Sequence, residues 1–437
     1  MKRVLIYASD SLGTSDLDGI RSLAQRLLQV PGQLQLQIVS DAPVHRRARD
    51  NPGTTTITLP RFDTPRNERA SANAQRPSLG ALLHSRAQIV ARAIAEFDPD
   101  LILVDGLPFG QHDELARIIA TPWPVQIGPQ WVLLLRDLIG CPERALHLWR
   151  ERGYFEAIAS HYTTVLVCGD KEIFDLEREY AMPAAAAAKL EYCGYIAPEP
   201  GRSPEGRLRR ALGVPDNGLL VLVTAGPGAD GEALIADYLC GLRSTPPALR
   251  PRSHIVCGAA MRESERLAAA CAIHSMPQVS LQHDSRDTMS LMAAADVVVA
   301  NGGYRKMCEV LSLRRRAVVI PGRADAPEQT ARVKRLAELG LVRTVGPLSC
   351  GPQALVDAVC AELVVAATQR LTRWRPTRDA IEFVAGTVHG LLDLEPECVS
   401  DAIAQGQRRN SRRRAATVLP LPLRDLGQGS PAAARPH

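Results

Sequence analysis

The stretch AAADVVVANGGYRKMCEVLSL (293–313) holds the residues best suited to chemistry in this 437-residue chain. An apolar, β-branched run, DVVVA, stops at Asn301-Gly302-Gly303, and a helical pattern starts at once with Tyr304. Two glycines at such a junction let the backbone approach a ligand, and the exposed N–H groups with the helix dipole favour a phosphate. Glu309, six residues past Gly303, lies about two turns along that helix. A carboxylate there can accept hydrogen bonds from two adjacent ribose hydroxyls while the turn holds a diphosphate. AVVIPG (317–322) then reads as the next strand, and PEQTARVKRLAELGL carries Glu328 and Gln329 into another amphipathic helix.

A second strand–loop–helix junction opens the chain. In YASDSLGTSDLDGIRSLA (7–24) an apolar strand gives way to small and polar residues before a helical pattern resumes. The glycines are spaced G-x5-G, not G-x-G-x-x-G, and the loop is acidic, so a dinucleotide fingerprint is not present.

The elements around both junctions alternate in type. LQLQIVSDA (34–42), LILVDGLPFG (101–110), PVQIG (124–128) and TTVLVCGD (163–170) read as strands. Helical stretches at 79–97, 112–120 and around 142–160 separate them, and the polar, Pro/Arg-rich stretch 43–79 reads as loop. After EYCGYIAPEPGRSPEG (191–206), which has neither periodicity, the alternation starts again. Strands are expected in GLLVLVTAGPGADG (218–231), SHIVCGAA (253–260), VSLQHD (279–284), ADVVVANGGY (295–304) and AVVIPG (317–322). The pattern predicts an α/β protein with two doubly wound parallel sheets: residues 1–195, a linker at 196–213, and 214–395. Ligands of such sheets bind outside the carboxyl ends of the strands, so a cleft is expected between the two halves.

Composition narrows the function classes. Hydrophobic and charged contents of 46% and 23% are those of a globular protein. The formal charge of +5 sits largely in residues 396–437, where seven arginines oppose three acids, a balance of +4 that leaves +1 for the rest. Nothing in that body argues for nucleic acid. The Arg/Pro-rich tail itself is expected to be flexible, with contact to an acidic membrane surface as its alternative role. Ten cysteines form no C-x-x-C pair and no zinc-spaced cluster, so no metal is expected. The scattered thiols and the lack of a secretory or spanning segment point to a soluble cytoplasmic protein.

The second half resembles the nucleotide-sugar-binding half of GT-B glycosyltransferases, in particular family 28, the MurG-like predicted glycosyltransferases. The matching segments are AAADVVVANGGYRKMCEVLSL and PGRADAPEQTARVKRLAELGLV. DPDLILVDGLPFGQHDEL, VLLLRDLIGCPE and VLVCGDKEIFDLEREY…YCGYI extend the resemblance through the first half. It implies two Rossmann-like domains facing a cleft and metal-independent, inverting transfer of a sugar from a nucleotide-sugar donor, a UDP-sugar first, to an acceptor hydroxyl. By position, Asn301, Gly302, Gly303 and Tyr304 would lie at the diphosphate and Glu309 at the ribose. Glu328 and Gln329 would contact the sugar, and the HDSRDTM loop (283–289) with Met289 would border the base. TAGPGADG (224–231) would face the diphosphate through Gly228, Asp230 and Gly231, although Pro227 removes one N–H donor there.

On the acceptor side the candidates are the opening-loop residues Gly13, Thr14 and Ser15, with Arg136 and Asp137 of VLLLRD. The relatives' first loop runs G-x-G-H, and here Ser15 and Asp16 stand at the second glycine and the histidine. Asp16 is therefore either the general base or the N-cap of the first helix. The other candidate bases are Asp105, otherwise a turn cap, His112-Asp113, with His112 otherwise an exposed helix-start residue, and Asp137. Arg136 either complements an anionic acceptor or pairs with Asp137. Two rivals share these features: a nucleotide-sugar epimerase, and a catalytically degenerate protein that only binds the nucleotide-sugar.

Overall fold

The computed structural model describes residues 1–8, 17–30, 32–41, 53–61, 78–121, 128–224, 230–258, 261–285, 287–322, 327–346, 351–366 and 379–394. The chain divides into two units, Met1–Asp393, which holds everything below, and Leu394–His437, of which Leu394 alone is described. The tail expected at 396–437 lies outside the described residues.

The first sheet contains β1 (Lys2–Ala8), β2 (Leu34–Ser40), β3 (Thr54–Thr58), β4 (Leu101–Asp105), β5 (Gln130–Arg136), β6 (Thr164–Cys168) and β7 (Leu190–Tyr192) in the order β3-β2-β1-β4-β5-β6-β7. The second contains β8 (Val221–Thr224), β9 (Ser253–Val256), β10 (Val279–Gln282), β11 (Val297–Asn301), β12 (Arg316–Ile320) and β13 (Arg343–Thr344) in the order β10-β9-β8-β11-β12-β13. Every strand pair is parallel. Helices on both faces bury such strands on two sides, which is why YLIV-rich runs rather than alternating ones form them. LILVD, TVLVC, VLVT and VVVAN are buried at every position.

The strand order reverses between β1 and β4 in the first sheet and between β8 and β11 in the second. The crevices at those switch points are the places where a doubly wound sheet takes a ligand. Register aligns the residues that end there: Ala8 opposite Asp105, Arg136 opposite Cys168, and Ala300 opposite Thr224.

Several expectations shift. The stretch 43–79 contains β3, a polar edge strand whose TTTIT sequence hides from an apolar reading but has the β-branched residues strands favour. Of PVQIG (124–128), residues 124–127 lie outside the described residues, and the strand described nearby is β5, which buries 131–135. The helical region near 142–160 is two helices, Pro142–Glu151 and Tyr154–His161, broken at Gly153 with φ +68°. The linker range contains the helix Glu205–Ala211, whose Arg209 bonds the Ala294 carbonyl and Asp296 of the second half.

The helix Ala380–Leu391 lies within the range expected for the second half, yet it packs on the first helix of the chain, Leu17–Leu27. Glu382 pairs with Arg26, His389 meets the Leu27 carbonyl at 3.1 Å, and Gln130 donates to the Leu391 carbonyl at 2.6 Å. Its Ala380, Val384, Ala385 and Val388 supply the buried face.

Candidate functional site

At the second switch point, β11 ends in Asn301 and the helix Tyr304–Leu313 starts after the cap residue Gly303. Gly303 supplies no side chain to its helix N-terminus, and a Cβ there would meet nothing within 4 Å. The first-turn N–H groups have no acceptor within the helix itself, and such a terminus favours an anion. Asn301 is only 9% exposed, and neither its Oδ1 nor its Nδ2 has a hydrogen-bond partner. Gln329 Oε1, in the first turn of the helix Pro327–Glu338, is likewise buried and unsatisfied. An orphaned buried amide costs about 1–3 kcal/mol, so two beside one open helix terminus mark a place where partners are missing.

Glu309 is buried on the second turn of that helix, as its spacing predicts. Lys306 Nζ lies 2.5 Å from its Oε2, and the more exposed Arg305 reaches its Oε1 at 3.5 Å. Lys306 also comes within 3.5 Å of the Thr224 hydroxyl at the end of β8, so the lysine spans the switch-point crevice.

Gly302 and Tyr304 do other work than expected. The Gly302 N–H donates to the Ile320 carbonyl at 3.1 Å, continuing the strand pairing, and is not free for a phosphate. A Cβ on Gly302 would lie 2.2 Å from Val333 Cγ2, so this glycine is needed for the close approach of the helix Pro327–Glu338. The Tyr304 side chain turns away to the first half: its hydroxyl donates to the Cys168 carbonyl at 2.9 Å, and its ring stacks on Tyr195 with centroids 6.0 Å apart. Its backbone N–H belongs to the first turn of the helix.

The remaining donor-side residues are spread around this centre. Glu328 is half-buried in the first turn of the helix Pro327–Glu338, where its charge helps hold Arg332 protonated. Met289 is half-buried in the short helix Thr288–Ala294. Asp287 caps that helix, and its carboxylate takes the Arg202 N–H of the linker, so Asp287 ties the helix to the linker. Burial opposes the ionised form of Asp287, but the hydrogen bonds from Ser290 and Arg202 outweigh it and hold the carboxyl below its ordinary range. Gly231 is buried in the helix Asp230–Ser244, which begins with Asp230; Gly228 lies outside the described residues.

On the first sheet, Gly13, Thr14, Ser15 and Asp16 lie outside the described residues. Asp105, at the end of β4, is paired with Arg136 at 3.0 Å. Arg136 thus engages Asp105, not Asp137, and its guanidinium lies 5.4 Å from the centre of the Tyr304 ring. Asp137 is completely enclosed and belongs to Arg332 of the second half, with N–O distances of 2.9, 3.0 and 3.1 Å, and Tyr195 donates to its Oδ2 at 3.2 Å. Burial acts to lower the Arg332 pKa, yet Asp137 and Tyr195 raise it above the ordinary arginine value. These two residues form a structural tie, not an acceptor-binding pair.

Next to Asp105, the loop 106–115 closes a second buried network. Arg86, fully enclosed, reaches Glu114 at 2.6 Å and Asp41 at 3.0 Å, and the Tyr7 hydroxyl bonds Glu114 at 3.0 Å. The His112 N–H donates to the same carboxylate at 2.8 Å. Burial lowers the His112 pKa and favours the neutral imidazole, with Glu114 opposing. Asp113, at φ +62°, is committed to Arg152 and to the Tyr154 hydroxyl at 3.1 Å. Sequence reading missed Lys306, Arg332, Arg86 and Glu114. A lysine beside Glu309 at i,i+3 was a legible signal for the first; the other three are long-range pairings that no spacing announces.

The contacts Asp105–Arg136–Tyr304 bring the carboxyl edge of the first sheet onto the helix that carries Lys306 and Glu309. The two switch points therefore open toward one another. Among the described residues no three His, Cys, Asp or Glu side chains gather at metal-binding distance, and no helix is long and apolar enough to cross a membrane.

No family model matches the chain. An uncharacterised glycosyltransferase of Methanopyrus kandleri is 26% identical over 186 residues, 42% of this chain and 50% of that protein, so the match spans half the relative's length. Among solved structures, MurG of Acinetobacter baumannii aligns over 89% of this chain and 100% of its own at TM-score 0.55 and 14% identity. The UDP-GlcNAc 2-epimerase of Neisseria meningitidis, bound to UDP-GlcNAc, aligns over 90% of this chain and 99% of its own at TM-score 0.53 and 15% identity. The fold is GT-B: two Rossmann-like parallel-sheet halves with their carboxyl edges facing each other.

Proposed function

We propose that the chain is a glycosyltransferase that moves a sugar from a nucleotide-diphosphate sugar, UDP-linked in the first instance, to an acceptor hydroxyl. The observation that carries this reading is the second switch point. A buried carboxylate, Glu309, stands two turns behind an open helix N-terminus, with the unpartnered amide of Asn301 beside it. The carboxylate suits the two ribose hydroxyls, the first-turn N–H groups of the Tyr304 helix suit the diphosphate, and the Gln329 amide suits a sugar hydroxyl.

In the reaction the acceptor oxygen attacks the anomeric carbon from the face opposite the diphosphate, and a new C–O bond forms. The bond from that carbon to the β-phosphate oxygen breaks, and its electron pair leaves with the nucleoside diphosphate. The acceptor proton passes to a base on the first half, with inversion at the anomeric carbon. Helix N-terminal dipoles stabilise the departing charge, so the proposal includes no metal. Asp16 is the proposed base, since its loop follows β1, the strand whose last residue pairs with Asp105. Asp105, held by Arg136, is the second candidate. A cytoplasmic location, a family 28 affiliation and contact of the tail with acidic membranes belong to the same proposal. The buried thiols of Cys168, Cys193, Cys257 and Cys308 suit a reducing compartment.

The test is a screen for nucleotide release from several UDP- and dTDP-sugars, with Glu309→Ala beside the wild type. Release that needs an acceptor and falls at least tenfold in the variant supports the reading. If Glu309→Ala binds donor and reacts like the wild type, the donor-site assignment is wrong. Conversion of the donor into its epimer without acceptor identifies the epimerase rival, and UDP binding without turnover of any donor identifies a degenerate binding protein.

A further inference from the structure

We propose that the chain locks its own hinge: a buried joint beside the crossings between the two halves holds their carboxyl edges at one spacing, with or without a ligand in the cleft. The lock goes beyond the nucleotide-sugar reading and does not depend on it. The chain leaves the first half at the linker beginning at residue 196 and is back on it with the helix Ala380–Leu391. Tyr195 stands at both crossings. It directly precedes the linker, and its carbonyl accepts the Ala380 N–H at 3.3 Å. Its side chain meanwhile enters the joint, where the hydroxyl donates to Asp137 Oδ2 at 3.2 Å and the ring stacks on Tyr304. A rotation of the halves about the crossings therefore acts directly on this residue.

Three anchors run from the second half to the first around Tyr195. Arg332 holds Asp137, just past β5, through bonds of 2.9 to 3.1 Å, and its Nη1 also donates to the Gly302 carbonyl at 3.3 Å. The Tyr304 hydroxyl donates to the carbonyl of Cys168, the last residue of β6, at 2.9 Å. Arg335, three residues after Arg332, donates to the Ile173 carbonyl at 2.9 Å. The Tyr304 ring also meets a cation from each half, Arg136 at 5.4 Å and Arg332 at 5.7 Å from its centre.

Each side of the joint is itself close-packed. A Cβ on Gly302 would lie 2.2 Å from Val333 Cγ2, and one on Gly169 would lie 2.9 Å from Asp137 Cβ. Strain at the joint is therefore transmitted to the halves and not absorbed locally. The Asp137 side chain has no exposed surface and that of Arg332 only 3%. Turning the halves apart separates two enclosed charges before water reaches either, and the attraction lost there opposes the motion. An opened form should hold less than about 1% of the molecules. The cleft is thus preformed, and a ligand that spans it meets both halves without a closing motion, which favours affinity.

Pulsed electron–electron resonance on the full chain tests the lock, with nitroxides carried by p-acetylphenylalanine in place of the exposed Ala95 and Ala268, one on each half. The wild type should give one narrow distance, and UDP, its binding followed by calorimetry, should move the mean by less than about 2 Å. Asp137→Asn leaves Arg332 enclosed without its counter-charge and should raise a second, displaced population at least about tenfold. The double change Asp137→Leu, Arg332→Met leaves no charge behind and should keep the single distance. Should Asp137→Asn not fold, Tyr304→Leu, which removes the bond to Cys168 and the ring that both guanidiniums meet, should raise the same second population. Two populations in the wild type, or a shift beyond that limit with UDP, would overturn the lock, and so would wild-type distances in Asp137→Asn or Tyr304→Leu. Absence of UDP binding is a different failure: it removes the nucleotide-sugar reading, while the UDP-free distances of wild type and variants still decide the lock.

Discussion

Arg332 and Asp137 are joined by three hydrogen bonds of 2.9 to 3.1 Å although they lie 195 residues apart, one on the second half and one at the end of β5. Both are almost completely enclosed. Removing one member of such a pair leaves an uncompensated buried charge, which costs about 3–5 kcal/mol. Asp137→Ala and Arg332→Ala should each lower unfolding stability by about that amount in urea, whereas the combined Asp137→Leu, Arg332→Met chain should stand within about 2 kcal/mol of wild type. Single losses below about 1 kcal/mol would show that the pair does not hold this junction.

Gly302 carries a second packing constraint. Alanine there puts a methyl 2.2 Å from Val333 Cγ2, so backbone or helix must move. Gly302→Ala should cost about 1–3 kcal/mol, and adding Val333→Ala should return part of it by making room for the methyl. Thermal unfolding of the single and double variants checks this, and an equal loss with and without the second change contradicts it.

Histidines whose pKa is depressed by burial make stability depend on pH. Burial depresses the pKa of His254, which bonds Ser280 at 2.9 Å and Gln282 at 3.1 Å, and that of His112. The unfolded chain then binds more protons than the folded one below about pH 6.5, so stability is full above that value and falls as pH drops toward the folded pKa values. The unfolding free energy should decline from pH 7 to pH 5, with a shallower slope in His254→Gln. An equal slope in that variant would remove His254 as a contributor.

Transfer without a metal has a direct check. Nucleotide release should be unchanged, within about twofold, by excess EDTA, because in the proposed reaction helix N-termini take the diphosphate charge. Abolition by EDTA with recovery on adding Mg²⁺ would assign that charge to a cation instead.

Much of this architecture is legible from residue order. LILVD, DVVVA and LLVLV read as buried parallel strands because parallel sheets are covered on both faces. Glu309 is placed correctly by counting along a helix. β3 escapes because an edge strand of threonines shows no apolar run, and the return of the helix Ala380–Leu391 to Leu17–Leu27 escapes because chain order carries no record of which sheet a terminal helix rejoins.

The chain by itself determined the two strand–helix alternations, the strand–glycine–helix junction at 301–304 and the carboxylate two turns behind it, since hydrophobic period and glycine freedom are local properties. Only the tertiary structure decided what those residues meet. It gave the Gly302 N–H to Ile320, turned Tyr304 toward Cys168, set Asp137 on Arg332 rather than Arg136, and laid Lys306 between Glu309 and Thr224. The physical reason is common to all four: a buried polar group must find a partner, and the available partners come from strands and helices brought together by the fold, not by the sequence between them.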